Sequence, residues 1–593
     1  MKNNTISFIL ILTILFLTTS CEDDLLDKSP LDKISSSDVW NDKGLIDAYM
    51  VDLYARIIPG YLTWDSPAAE DVWSDDIQAD KSNRSNVVEE TITSANDLGF
   101  NQYANIWRVN TAIEGLTNTK VLDETIRTQL LAEAKTFRAI IYHWMVRRFG
   151  GVMKVDRVMD PNDDMLLPRT PENEIYDFII DDLTYAKDNL PTTTARGKFN
   201  KATAHGFLIR ALTEALRYDE VISECNDFII SKGNYGYSID PDYNGIFNLY
   251  SSGISSSENI FIRYGDNSGI YMLITPLQYL LPLSNRERTK PECDWSNIKT
   301  SMYGWAMWFP TQQLVDSYQV VENGVAKNWW ETDKWLNRKD EPNSTEIMWE
   351  NRDKRFYASI TYDGSIFAGD LYKMRYPYFP YRRMMNTDQH YAMTGYYVRK
   401  FTADNITSWS SMYQPWDYHW VLLRLSEVYL NYAEALIQRG RAADALPYIN
   451  ELRVKHGELP PLVTTDNIWE NYKRERRVEM FMERDRYWAL LRWGKIENLD
   501  VIPELNENSR YIDISPDGSK YYIATIQGQF YQEKGANYAG DLEYFESLSI
   551  NDRSFEPGVI HPNRQFTSKR YYLPIPKWHL DRNSSLTQNP GWN

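Results

Sequence analysis

Residues 123–149 (DETIRTQLLAEAKTFRAIIYHWMVRRF) contain neither glycine nor proline and end at Gly150-Gly151. Their apolar residues recur with helical spacing, and Asp123 stands where an N-cap belongs. This predicts a long amphipathic helix, and such a helix needs a partner for its apolar face. Similar signals surround it. Residues 43–58 place Leu45, Tyr49, Leu53 and Ile57 at steps of four. Residues 171–190 open with Thr170-Pro171-Glu172, a cap followed by proline at the first helical position. Residues 200–232 read as two helices broken near Tyr218-Asp219. Residues 420–438 and 441–455 read as a pair joined by Arg439-Gly440. The expected fold is mainly α, built on TPR-like helix pairs without a strict repeat period.

Two regions break this pattern. Roughly 235–415 and 505–570 are rich in Gly, Pro, Asn, Asp, Trp and Tyr and lack long helical periods. Long irregular insertions on a rigid scaffold are where binding residues tend to sit. The expected organisation is one domain over 40–593. Its helical scaffold covers about 40–235 and 416–500, with loop-rich, ligand-side insertions over about 236–415 and 501–570.

The N-terminus reads as an export signal. Lys2 precedes an apolar run from Ile6 to Leu17, too short to span a bilayer comfortably, and small residues lead to Cys21. Residues 1–20 are the expected signal peptide, and Cys21 is the expected lipidation site. Residues 21–39, opening Cys21-Glu22-Asp23-Asp24, would be an acidic tether. The multiple acyl chains of a bacterial lipoprotein would make the anchorage durable. A formal net charge of −18 argues against nucleic acid and against a basic face on anionic lipid. Seven scattered His and three Cys (Cys21, Cys225, Cys293) give no metal-ligand spacing, so neither a metal nor another cofactor is expected. Whether Cys225 and Cys293 pair is left open by their spacing. Tyr and Trp, 41 and 20 against 21 Phe, suit surfaces that bind and stay wet.

Several motifs in order resemble the RagB/SusD family. They are Leu26-Asp27-Lys28-Ser29-Pro30 with Trp40, Asn351-Arg352-Asp353-Lys354-Arg355-Phe356, and Gly395-Tyr396-Tyr397-Val398-Arg399-Lys400-Phe401. Arg424-Leu425-Ser426-Glu427 through Glu434-Ala435 and Glu475-Arg476-Arg477-Val478-Glu479 with Asp485-Arg486-Tyr487-Trp488 are similar to two hallmark helices of that family. Leu573-Pro574-Ile575-Pro576 and Asn589-Pro590-Gly591-Trp592 match its C-terminus. The resemblance implies a SusD-like α-helical fold. It also implies a surface lipoprotein that captures an oligosaccharide or polysaccharide and closes as a lid on a SusC-like TonB-dependent outer-membrane transporter, without bond cleavage.

The motifs themselves read as scaffold. Arg424, Glu427, Asn431 and Glu434 fall on one helix face, and Glu475, Glu479 and Glu483 on another. Arg476, Arg477 and Arg486 are the expected partners of those glutamates. Carboxylates beside Arg stay ionised and do not suit a general acid. For the glycan, stacking aromatics and short polar side chains are the candidates: Trp73, Asp75, Asn83 and Arg84 in one segment, and Trp295, Tyr303, Trp305 and Trp308 in another, with Trp329-Trp330 beside them. A core role for Trp73, Trp305 and Trp308 competes with this. The fragment Asp240-Pro241-Asp242-Tyr243-Asn244-Gly245 lacks a closing Glu and reads as a turn. Competing functions are a peptide-binding lid of the same architecture, a surface glycoside hydrolase recruiting Asp75, Asp76 or Asp294, and a purely structural transporter partner.

Overall fold

The computed structural model describes residues 36–60, 67–79, 85–248, 250–265, 280, 296, 301–302, 306–337, 348–375, 378, 392–402, 408–409, 418–514, 521–526, 528–530, 559–561 and 563–592. The fold is mainly α. The first scaffold comprises α1 (Lys43–Gly60), α2 (Tyr103–Asn118), α3 (Glu124–Phe149), α4 (Glu172–Asn189), α5 (Lys201–Glu214) and α6 (Tyr218–Cys225). The second comprises α7 (Lys354–Ser359), α8 (Leu425–Gln438), α9 (Ala442–Lys455), α10 (Ile468–Glu479) and α11 (Arg486–Glu497). Among the described residues, no helix between 236 and 415 exceeds six residues. The strands are short and pair only in twos. Those used below are β1 (Ile77–Ala79), β2 (Asn259–Gly265), β3 (Trp308–Pro310) and β4 (Tyr418–Arg424), paired as β1–β3 and β2–β4.

α3 is the spine of the first half, packed against α2 and α4. The Asp123 carboxylate accepts from the Ile126 N–H at 2.9 Å, and Gly150 ends the helix at φ 66°. From Ala132 onward every residue but Lys135 is buried, so α3 is less amphipathic than its sequence suggests. Its charged residues face neighbouring elements instead of water. Arg138 forks onto Asp182 of α4 at 2.7 and 2.9 Å, and Arg147 and Arg148 hold Glu70.

Two boundaries differ from the sequence reading. Pro171 is the N-cap of α4, not its first residue: its φ of −53° suits a helix but its ψ of 148° is extended. Residues 420–424 are strand, not helix. Tyr418–Arg424 pairs antiparallel with Asn259–Gly265, and α8 starts at Leu425. The aromatic and β-branched run Tyr-His-Trp-Val favours strand, and β2 supplies the partner edge.

The motif residues converge on a buried ion network. Arg424, at the end of β4, reaches Glu258 (2.7 Å), Glu479 (2.6 Å) and Glu483 (2.7 Å). Arg355, on α7, holds Asp353 (2.7 Å), Glu479 (2.9 Å) and Glu475. Lys400 donates to Glu483 at 2.6 Å and to the Tyr243 hydroxyl at 2.7 Å. Arg453 lies 3.4 Å from Glu475, and His456 lies 2.9 Å from Glu479 and 3.2 Å from Glu258. A second cluster surrounds Glu434 of α8, which accepts from Arg492, Tyr472, Tyr218 and Trp493. The polar stripe of α8 is thus buried, and it bonds to other elements and not to itself.

Removing one member strands buried charge, which typically costs about 3–5 kcal/mol, whereas an exposed pair contributes about 1 kcal/mol or less. Arg424→Ala is therefore expected to lower the unfolding free energy by about 3–5 kcal/mol. Arg439→Ala, which breaks a surface pair with Asp219, should lower it by no more than about 1 kcal/mol. Urea unfolding of both variants checks this; equal losses would contradict the network's weight.

Candidate functional site

The segment predicted to supply Trp73 and Asp75 is a structural clamp. A 3-10 turn, Pro67–Trp73, carries it against α11. The Trp73 ring is 7% exposed and meets Tyr487 edge-on at 5.4 Å and Trp488 at 6.2 Å. Asp75 accepts from Arg486 at 2.8 and 3.1 Å and pairs with Arg477 at 2.7 Å, while Asp76 takes the Nε of Arg477 at 2.7 Å. Burial raises the Asp75 carboxyl, but Arg477 and Arg486 outweigh it and bring it down to about 2. Neither side chain faces solvent, so both are corrected from ligand contacts to core. Trp308 is corrected likewise. It is 4% exposed within β3, directly opposite Ala79 of β1. The other predicted contacts, Asn83, Arg84, Trp295, Tyr303 and Trp305, lie outside the described residues, as do Cys21 and Cys293.

The arginines expected to neutralise the α10 glutamates are committed elsewhere. Arg477 and Arg486 serve Asp75 and Asp76, and Arg476 forks onto Asp485 at 2.8 and 2.6 Å. Arg355, Arg424 and Arg453, with Lys400 and His456, do that work instead. Glu479 is 0% exposed. Burial would raise its carboxyl, yet His456 and Arg424 hold it well below the usual carboxylate range. Burial likewise works against Glu258, and His456 and Arg424 bring it to about 2. Ionised, enclosed carboxylates of this kind cannot deliver a proton to a substrate.

Glu258, His456 and Glu479 also have the spacing of a metal-ligand trio. The Nη1 of Arg424 already sits 2.7 and 2.6 Å from the two carboxylates, where a cation would have to stand. The donor set therefore suits an internal ion pair better than a metal ion. Asp240 and Asp242 form a capped turn: the Asp240 carboxylate accepts from the Asp242 N–H at 3.1 Å, and that of Asp242 from the Gly245 N–H at 2.9 Å. Cys225 is a buried free thiol, raised well above its usual value by burial.

Two further features involve residues between 236 and 415. First, β1 and β3 pair antiparallel, Ile77 with Pro310 and Ala79 with Trp308. The C-terminal end of β1 at Ala79 and the N-terminal end of β3 at Trp308 therefore lie at the same end of the sheet. The sheet joins two segments that lie more than two hundred residues apart in sequence. Second, Trp330 offers a ring 39% exposed, held edge-on against buried Trp329 at 5.3 Å. Trp329 is fixed by Trp335 at 4.9 Å and by donation from its Nε1 to Asp316 at 2.9 Å.

Residues 282–592 match the model described as the SusD family, and residues 24–212 match one described as starch-binding associating with outer membrane. The chain belongs to the SusD family. Among its relatives, SusD-like protein P2 of Formosa agariphila is 23% identical over 83% of this chain and 79% of its own length. A SusD-like protein of Bacteroides ovatus is 23% identical over 82% of each. A SusD-like carbohydrate-binding protein of Bacteroides fragilis superposes with a TM-score of 0.71, covering 93% of this chain and all of its own at 20% identity. A laminarin-binding SusD-like protein superposes at 0.62, with 19% identity over 93% of this chain and all of its own. These SusD-like folds agree with the mainly α architecture. Among the described residues no helix is long and apolar enough to cross a membrane.

The network makes stability depend on pH. Burial alone would depress His456, but Glu479 and Glu258 raise it to about 10, from an unfolded value near 6.5. A raised pKa contributes stability that is fully present below about pH 6.5 and is lost as pH climbs toward about 10. Burial lowers Lys400 to about 8 despite Glu483, so its contribution rises with pH above about 8 and opposes that loss. Stability should therefore fall by about 2 kcal/mol between pH 6.5 and 8, and His456→Gln should flatten this slope. Urea midpoints of both proteins across that window check it; parallel slopes would count against the assignment.

Proposed function

We propose that this protein is a cell-surface glycan-binding lipoprotein, anchored through Cys21 in the outer membrane. It captures an oligosaccharide or polysaccharide and delivers it to a SusC-like TonB-dependent transporter, acting as that transporter's lid and cleaving no bond. Membership of the SusD family supports this, as does the outer-membrane description of the model matching residues 24–212. Solved neighbours described as carbohydrate-binding and laminarin-binding support the ligand class.

The observation that carries the reading is the β1–β3 register. It supports a ligand face at the end of the sheet marked by Ala79 and Trp308, with Trp305 as the candidate stacking platform; Trp330 is a further exposed ring in the middle segment. The buried, ionised carboxylates favour binding over hydrolysis. With a net charge of −18, neutral glycans are the better fit, since a polyanion would be repelled.

Affinity electrophoresis and calorimetry of the mature chain against neutral and acidic glycans test this. Retention by a neutral glycan, without product formation, is the expected result. Trp305→Ala should weaken that retention. Trp73→Ala, which empties a packed site, should instead lower stability by about 3–5 kcal/mol. No retention by any glycan would overturn the reading.

A further inference from the structure

The N-terminal helical scaffold holds a second aromatic groove, remote in sequence from the ligand-side insertions. It is lined by Trp40, Asn41, Trp107, Thr111, Glu114 and Asn118 and encloses about 510 Å³. Trp107, Thr111, Glu114 and Asn118 follow one another at steps of four, three and four, so they occupy one face of α2. That face runs roughly 16 Å along the helix, long enough for a short oligosaccharide. The Trp107 side chain is 51% exposed, which is unusual for tryptophan in a chain with so large a core.

Trp40 is held in place as the second ring. It packs against Tyr49 at 5.1 Å, and its carbonyl accepts from the Thr119 hydroxyl at 2.6 Å. Its indole lies directly on Gly115, where a Cβ would come within 2.0 Å of the ring. Only glycine lets the indole lie against the helix there. The groove is thus a built feature: one fixed ring, one half-exposed ring, and hydroxyl, amide and carboxylate side chains along the helix face that carries the second.

We propose that this groove is a second saccharide-binding site, selective for neutral glycans. The inference rests on the reading of the protein as a glycan binder. The chemistry narrows the occupant. Trp faces take the apolar C–H side of a sugar ring, while Asn41, Glu114 and Asn118 accept or donate hydrogen bonds at its edge. The exposed carboxylate of Glu114 turns away polyanions and anionic lipid. A protein interface core would be depleted of such a charge. The volume falls within the range of small-ligand sites, about 300–1,000 Å³.

The test uses the mature chain with laminarin, soluble starch and every neutral glycan retained in the panel above. Trp107→Ala, Trp107→Phe and Trp305→Ala are compared singly, and Trp107→Ala is combined with Trp305→Ala. Trp107 is half exposed, so its truncation should leave the melting temperature unchanged. Trp107→Ala is expected to weaken binding by up to about tenfold, with Phe restoring most of it, because one stacking contact is lost. The double variant should bind more weakly than Trp305→Ala alone. Unchanged binding in Trp107→Ala, with the parent still retained, overturns the second site and leaves the glycan reading intact. A parent retained by no neutral glycan overturns both.

Discussion

Arg424 is the residue on which the rest of the architecture depends. Its guanidinium is wholly buried and touches three carboxylates from two separate parts of the chain, Glu258 beside β2, and Glu479 at the end of α10 with Glu483 just beyond it. Charges taken out of water are tolerated only where every lone pair and every N–H is met. That requirement fixes more than one contact. β4 must run beside β2, α10 must end where it does, and Lys400 and Arg355 must arrive to balance Glu483 and Glu479. A misplaced segment would leave a bare ion in a low-dielectric interior. The network thereby ties the β2–β4 pair to the end of α10.

The helices were legible because their signals are local. The Asp123 cap, the Gly150 stop and the apolar spacing of residues 123–149 lie within one segment, and the structure places the helix over Glu124–Phe149. Elements whose state is decided by a distant partner were not legible. Residues 420–424 carry a pattern that continues smoothly into α8, and only the edge of β2 makes them strand. The charge pairing failed for the same reason. Arg477 and Glu479 are near neighbours in sequence, and proximity along the chain favours pairing Arg477 with that stripe. Its actual partner, Asp76, is 401 residues away, and Glu479 is served from 23 and 55 residues back by His456 and Arg424.

The same long-range pairing explains why the Trp-Ser-Asp-Asp segment resembled a ligand site. An aromatic ring next to short acidic side chains is what a sugar requires, and it is also what an arginine array requires. Residue type alone does not separate the two; burial does. Trp73 closes over Tyr487 and Trp488, and Asp75 and Asp76 occupy the guanidinium groups of Arg477 and Arg486. The groove at Trp107 is not legible in the sequence for the converse reason. Its four residues are spaced like any helix face, and the one sign of function is that a tryptophan on that face is left open to water.

A scaffold this over-determined has a consequence for binding. Part of the middle segment is itself scaffold, since Glu258, Arg355 and Lys400 complete the ion network, and rings outside that network, such as Trp330, can stay exposed without a stability penalty from the core. Stacking on single aromatic rings is weak, and each site alone would hold a sugar only loosely. A polysaccharide repeats the same unit, however, and one chain engaged at two places on a rigid body gains through effective concentration and not through any new contact. That gain vanishes once the polymer is cut below the span between the sites. A protein with two such sites would hold long chains firmly and release short ones readily.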